Sequence, residues 1–541
     1  MTRPTAPDDQ NAARSAPWRR RRWPPAPFVL CTAAAAGLLQ WIATSPRWLV
    51  QINWDAGTYL HMVSAGNMVW SSQTWTAHAG LQYLYLAACA VVRLVHGTPA
   101  DGFRLLNATV FSISAGTLAY VGLRLTHSRL LSALLVAVWG TAFVTQFLTF
   151  TLEDNLVFNT PAIVLLGWCA VRAPRWGWRD SVAGGLLAAL AFLLSIQGIL
   201  YLFPPLFLVA CLPGRGRAGS LGRRTVDVFL VGFAFFVGVV LFTLFCLAMF
   251  SSTWRQSLAY LATRPTSTFP QTKAALIAQV FDVKAALRTI GIAGSLHLFR
   301  NHRPVTSTAG LVALGGVIVA VELAMLAASA WWSRRTKRWA AFFFAVVLLA
   351  LTFLTSVYRD VEYAYLKRTD FLPVFLVLFL ISTLGELSPS LRKQRVLALG
   401  LALLVAWQLA TGLAWRNHEV ASYETLDQTI LGRRMPGYHG LPPEGAFLRH
   451  YRDLRAANPQ ACAFVFDFAE LQHARWNPDI SGSIWSELPR HFVLVSPSAM
   501  RSWPRPLAAL DPAQATATLQ GCEWLSLGAR HRLGLPVAAA R

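Results

Sequence analysis

Charge is scarce in this chain: only 13% of its 541 residues are Asp, Glu, Lys or Arg, and just 25 are acidic. Soluble domains carry about twice that charged fraction, so a water-facing shell around one core is excluded. Several chemical signatures are missing too. The sequence holds no GxxxxGK[ST], no HExxH, no CxxC and no Asp-x-Asp pair. A Walker-type ATPase, a zincin, a structural zinc site and the usual metal clamp for a soluble nucleotide-sugar donor are therefore unsupported. The one GxGxxG, Gly214 to Gly219, lies in a basic stretch between two apolar runs instead of between a strand and a helix. It is not a dinucleotide site. Cysteines number seven. Cys31, Cys89, Cys169, Cys211 and Cys246 fall in apolar runs, where a thiol is a small hydrophobe. Cys462 and Cys522 fall outside them and are either a disulfide in an oxidising compartment or two buried thiols.

What the chain has in excess is apolar residues, 55% from the AVILMFWYC set. They come in blocks of about 17 to 25, the length that crosses a bilayer's hydrocarbon core. A disordered protein and a disulfide scaffold are excluded by the same observation. The net charge of +23 raises a nucleic-acid binder, but the basic residues sit in short connections at 124–129, 172–180, 214–224, 333–338 and 388–395. Such loops lie in the cytoplasm by the positive-inside rule, so the charge reports orientation.

The first 27 residues end in Arg19 to Arg22, before an apolar run from Phe28 to about Ser45. No small-residue cleavage site follows, which makes this an uncleaved first helix with a cytoplasmic N-terminus. Further runs near 103–124, 130–150, 156–172, 181–196, 199–212, 225–249, 309–332, 339–357, 369–386 and 396–414 give eleven crossings and an external C-terminus. Leu81 to Val95 is short and contains Arg93, so it is read as an external interfacial helix. The alternative is a crossing helix with one boundary misdrawn elsewhere. The expected organisation is a basic tail over 1–27, a membrane domain over 28–415 and an external soluble domain over 416–541. External loops are expected at 46–102, 151–155, 250–308 and 358–368. Apolar runs at 461–468 and 491–496 look like buried strands, so the external domain should be α/β.

With so few acids, those at the outer edge carry information. Asp55 stands just beyond the first helix, either as an N-cap or as a functional carboxylate. Glu153 and Asp154 share a tight outer turn, where paired carboxylates are costly unless solvated or partnered. Arg359, Lys367 and Arg368 lie in an outer turn with Asp360 and Glu362. Cations there run against the positive-inside trend and are either phosphate ligands or a solvated ion-pair cluster. Glu322, in the middle of an apolar run, reads as a protonated interhelical hydrogen-bond donor and stays outside the site.

In combination these features resemble the GT-C superfamily of membrane glycosyltransferases, in particular the protein mannosyltransferase and lipid A aminoarabinose transferase branch. WDAGTYL resembles that branch's first acidic motif, with Asp55 in the acidic position. LEDN stands in the place of its second acidic motif. The segments 101–144, 184–209 and 366–380 are similar to its second and third helices, its short-turn helix pair and its late basic turn. The chain departs from the pattern at Ala56, where many relatives have a second acid, and at Gln197, where a lysine is common.

The resemblance implies transfer of a sugar, with inversion, from a polyprenyl-phosphate donor to a glycan, lipid or protein acceptor on the outer face of the cell membrane. Asp55 would be the general base and Glu153 and Asp154 would orient the acceptor or a cation. Arg368, with Lys367 or Arg359, would hold the donor phosphate. No cofactor is implied beyond a divalent cation at the acidic turn. The expected partners are these two substrates and the bilayer, with no nucleic acid. The competing readings are a transporter or flippase of lipid-linked sugars and a membrane sensor.

Overall fold

A computed structural model of the chain describes residues 25–45, 48, 79–97, 99–150, 155–172, 176–194, 196–211, 221–249, 278, 281–299, 307–336, 340–357, 391–431, 453–467, 492–495, 508–510, 519–526, 529–530 and 533–536. Its N-terminal helices are α1 (Pro25–Ala43), α2 (Ala79–Arg93), α3 (Pro99–Thr126), α4 (Arg129–Thr141), α5 (Phe143–Phe150) and α6 (Asn155–Arg172). After α7 (Trp178–Leu194) a 3₁₀ segment (Ile196–Leu202) leads into α8 (Phe203–Cys211) and then α9 (Leu221–Met249). Next come α10 (Val283–Phe299), α11 (Thr308–Thr336), α12 (Ala340–Val357) and α13 (Leu391–Leu431).

Runs rich in Leu, Ala, Val and Phe make most of these helices, and polar side chains mark the starts of three of them. Ser128 caps α4 by accepting from the Leu131 amide, Asp282 accepts from Ala285 before α10, and Ser307 accepts from Gly310 before α11. Among the described residues five helices are long and apolar enough to cross a membrane: Ala26–Ala43, Asp101–Thr126, Arg224–Phe242, Thr308–Arg335 and Gln394–Asn417. The chain therefore has the character of a helical membrane protein. The span in α3 is 67% buried against 17% for each of the other four, so α3 is the hub and the others turn apolar faces outward.

Small residues set how the helices lie. A side chain at Gly116 of α3 would crowd Ala33 of α1, and one at Gly37 of α1 would overlap Ser112, so α1 and α3 run antiparallel. Thr160 of α6 meets Ser114 and Gly167 faces Thr117 and Val121, which makes α6 parallel to α3. Gly185 and Gly238 fix α7 parallel to α9 by packing on Ala234 and Ala189. Close approach through glycine is the expected device where lipid supplies no hydrophobic drive between helices. These registers gather Arg124, Arg129, Arg172, Arg179 and Arg224 toward one end of the bundle. There Arg172 grips the buried Asp180 with two hydrogen bonds, 2.8 and 3.2 Å, and Ser181 reaches Asp227 of α9. Arg124, Arg172 and Arg179 also lie against Tyr120, Trp168 and Trp178.

Several stretches differ in detail from the pattern of apolar runs. The run 130–150 breaks at Ala142, whose ψ of 145° is not helical, and its halves α4 and α5 bend by 57°. The gap at 197–198, between the apolar runs 181–196 and 199–212, lies inside the 3₁₀ segment. The stretch 250–308 contains α10, whose Ala286, Ile290 and Ile292 are buried while Lys284 and Arg288 face outward. Helix α13 continues 16 residues past 415, to Leu431. The run 369–386 lies outside the described residues.

Beyond α13, β1 (Phe464–Asp467), β2 (Phe492–Val495), β3 (Ala508–Leu510) and β4 (Trp524–Leu525) form a parallel sheet in the order β3-β2-β1-β4. Phe464 and Phe466 pack on Trp524 on one face, with centroids 6.0 and 5.5 Å away. Val465 and Ala529 are fully buried. A disulfide joins Cys462 to Cys522, and the Cys462 amide donates to the Cys522 carbonyl at 3.1 Å, tying the entries to β1 and β4.

Candidate functional site

All six side chains singled out in the sequence, Asp55, Glu153, Asp154, Arg359, Lys367 and Arg368, lie outside the described residues. The structure does describe the helix ends that lead to them. α1 ends at Ala43, on the way to Asp55; α5 ends at Phe150, three residues before Glu153. Both ends sit opposite the basic end of the bundle, since α1 starts where α3 finishes and α4 starts beside it.

Side chains lock these two exits together. Thr149 of α5 donates to Gln40 of α1 at 3.0 Å, and both are buried. Arg104 of α3 donates to the Trp41 carbonyl at 2.9 Å, stacks 4.1 Å over the Trp41 ring, and pairs with Asp101 at 2.8 Å. Guanidinium suits this because its planar fork can donate in its plane while its face stacks. Arg416, from α13, donates Nε to the Trp48 carbonyl at 2.7 Å. Its guanidinium carbon lies 5.1 Å from the Trp48 ring and 5.9 Å from the Phe150 ring, so one cation touches both exits.

At Gly412, α13 comes close to α5, and the end of the Gln146 side chain fills the space a Cβ would take. Thr141 then bonds Gln408 at 2.8 Å, Gln146 Nε2 donates to the Gln408 carbonyl at 3.4 Å, and Trp415 packs on Phe143 and Phe147. The result is a polar seam through apolar helices. Within it Gln40 Nε2, Thr145 Oγ1 and Gln146 Oε1 are buried without a hydrogen-bond partner among the described residues. Buried polar atoms are normally satisfied, so the seam has capacity for water or a hydroxyl-bearing group. It offers donors and acceptors for orientation and no acid or base of its own.

Elsewhere, Thr352 of α12 donates to Glu322 Oε1 at 3.0 Å, an interhelical hydrogen bond at a buried carboxyl. Cys462, Cys522 and Glu523 bring metal-ligating atoms within 4.8 Å of one another. They do not make a metal centre, because the sulfurs are bonded to each other and Glu523 accepts from the Gln520 and Gly521 amides. The residue sequence reasoning missed is Arg416. Its signal was present: an arginine directly after Trp415, at the end of an apolar run opposite the one that follows the basic stretch 388–395. No protein-family model matches the chain, and no curated protein matches it.

Proposed function

We propose that the chain is an outward-facing membrane glycosyltransferase of the GT-C type with eleven crossings and an external α/β C-terminal domain. It would take its sugar from a polyprenyl-phosphate donor. Asp55 would remove the proton from the acceptor hydroxyl while that oxygen attacks the anomeric carbon from the face opposite the phosphate. The bond from that carbon to the phosphate oxygen breaks, the configuration inverts, and Arg368 with Lys367 or Arg359 takes up the charge left on the lipid phosphate. Glu153 and Asp154 orient the acceptor or a cation. The observation that carries this reading is the joining of the α1 and α5 exits at the end opposite the basic loops, through Thr149–Gln40 and Arg416. The Cys462–Cys522 disulfide supports placing the C-terminal segment in an oxidising compartment, outside the cytoplasm.

The test is transfer from synthetic polyprenyl-phosphate hexoses and pentoses by the full chain in nanodiscs. Asp55→Asn should lower turnover by about 10²- to 10⁴-fold while donor binding persists. Full activity in that variant would rule out the base. One observation favours transport instead, the mid-span Glu322 carboxyl bonded to Thr352. Flux of a lipid-linked sugar across liposomes that vanishes in Glu322→Gln and persists in Asp55→Asn would establish the transporter.

A further inference from the structure

We infer that Arg416 is a positioning residue, holding the α1 exit and the α5 end in one arrangement from a third helix. The proposal rests on the transferase reading for its link to turnover, but its geometry stands on described residues. Three contacts meet at this one guanidinium. Nε donates to the Trp48 carbonyl at 2.7 Å, and the guanidinium carbon lies 5.1 Å from the Trp48 ring centroid and 5.9 Å from that of Phe150. Nη1 also donates to Asn417 on its own helix at 3.1 Å, which limits the rotamers open to the side chain. Trp48 and Phe150 belong to chain segments that come together only in the folded bundle, and Asp55 and Glu153 follow them by seven and three residues. A shift of about 1 Å in such a lead can cost roughly 100-fold in turnover, because reacting groups must meet in a near-attack arrangement.

The carrier is suited to the task. Arg416 projects from α13, a continuous helix over Leu391–Leu431. That helix is seated against α4 and α5 by Gln408, Gly412 and Trp415 on the side before Arg416. A cation on a rigid, laterally fixed helix defines a point in space. The same cation on a loop would follow the segments it is meant to hold. Arginine suits this arrangement better than lysine, which can supply the bond to the carbonyl but not a broad, weakly hydrated cation beside two rings.

The experiment uses the full chain in nanodiscs, with Arg416→Ala, Arg416→Lys and the lipid-facing control Leu413→Ala. Two readouts are taken on each: amide hydrogen exchange over residues 41–48, and kcat and KM for transfer from polyprenyl-phosphate sugars. Arg416→Ala should raise exchange about tenfold, the signature of a locally opened segment. It should lower kcat about 100-fold and leave KM for the donor within about threefold, as for a group that binds neither substrate directly. Arg416→Lys should recover part of both losses, and Leu413→Ala should match the unaltered protein. Unchanged exchange in Arg416→Ala overturns the clamp, and raised exchange with unchanged kcat overturns its positioning role. A fall in kcat with normal exchange also overturns it, because Arg416 would then touch substrate itself. If the unaltered protein transfers no sugar while Asp55→Asn is equally silent, the transferase reading fails, and exchange alone decides whether Arg416 holds α1.

Discussion

The helix bundle and the C-terminal sheet solve the same problem with opposite means. In the bundle, glycines let helices touch: Gly185 faces the Val231 carbonyl and Ala234, and Gly37 faces Ser112. Lipid is as apolar as leucine, so burying leucine between helices gains little and close van der Waals contact gains more. The sheet lies beyond the last apolar run, and among the described residues its fully buried apolar set includes only Val465, Phe466 and Ala529. A core that small is marginal alone, and a covalent staple offsets it. The two regions should therefore fail under different insults.

Reduction gives the largest contrast. The disulfide closes a loop of 60 residues, worth about 4 kcal/mol in the chain-entropy account. Cys462→Ser with Cys522→Ser, or a reductant, should unfold the sheet and leave the helical signal of the bundle unchanged, read by circular dichroism and by proteolysis past residue 431. Loss of both regions together would mean that the bundle depends on the sheet. Next is Gly185→Leu, where a Cβ would stand 2.8 Å from Ala234 Cβ and 3.0 Å from the Phe235 amide nitrogen. It should cost about 3 kcal/mol, seen as a lower thermal midpoint for the helices with an unaltered sheet.

Thr352→Val is a smaller perturbation. It removes the hydrogen bond to Glu322 while keeping its shape, and interhelical bonds of this kind are worth about 0.6 to 1.7 kcal/mol. A loss well above 2 kcal/mol would mean that Glu322 is charged and that Thr352 is essential to its burial. The smallest effect belongs to Gly232→Ala. It lies in the middle of α9 with nothing within 4 Å of an added Cβ, so it should be neutral or stabilise by up to about 1 kcal/mol. If it destabilised like Gly185→Leu, residue-specific packing would not explain the bundle's glycines.

Much of the helical layout was legible in advance. Apolar runs at 28–45, 103–124 and 225–249 coincide with α1, α3 and α9, because a bilayer-length run of Leu, Val, Ala and Phe has few other ways to satisfy its backbone. The strands at 464–467 and 492–495 were visible as short apolar runs for a related reason. α10 was hidden because only one of its faces is apolar; Lys284 and Arg288 dilute the run. The break at Ala142 was hidden because alanine favours helix, and only packing forces that ψ. For the candidate site, the two acidic motifs stood out by their rarity. Arg416 did not, since its meaning lies in Trp48 and Phe150, which are 368 and 266 positions away.

Local composition, on its own, determined that this is a membrane-type helical chain and which ends of its helices are basic. Both follow from transfer free energies that each segment experiences alone. Only the tertiary structure decided which helices are neighbours and in what register, that Cys462 joins Cys522, and that Arg416 meets both exits at once. Those are relations between distant segments, set by where a glycine admits a neighbouring backbone or a guanidinium finds a carbonyl, and no window of sequence contains both partners.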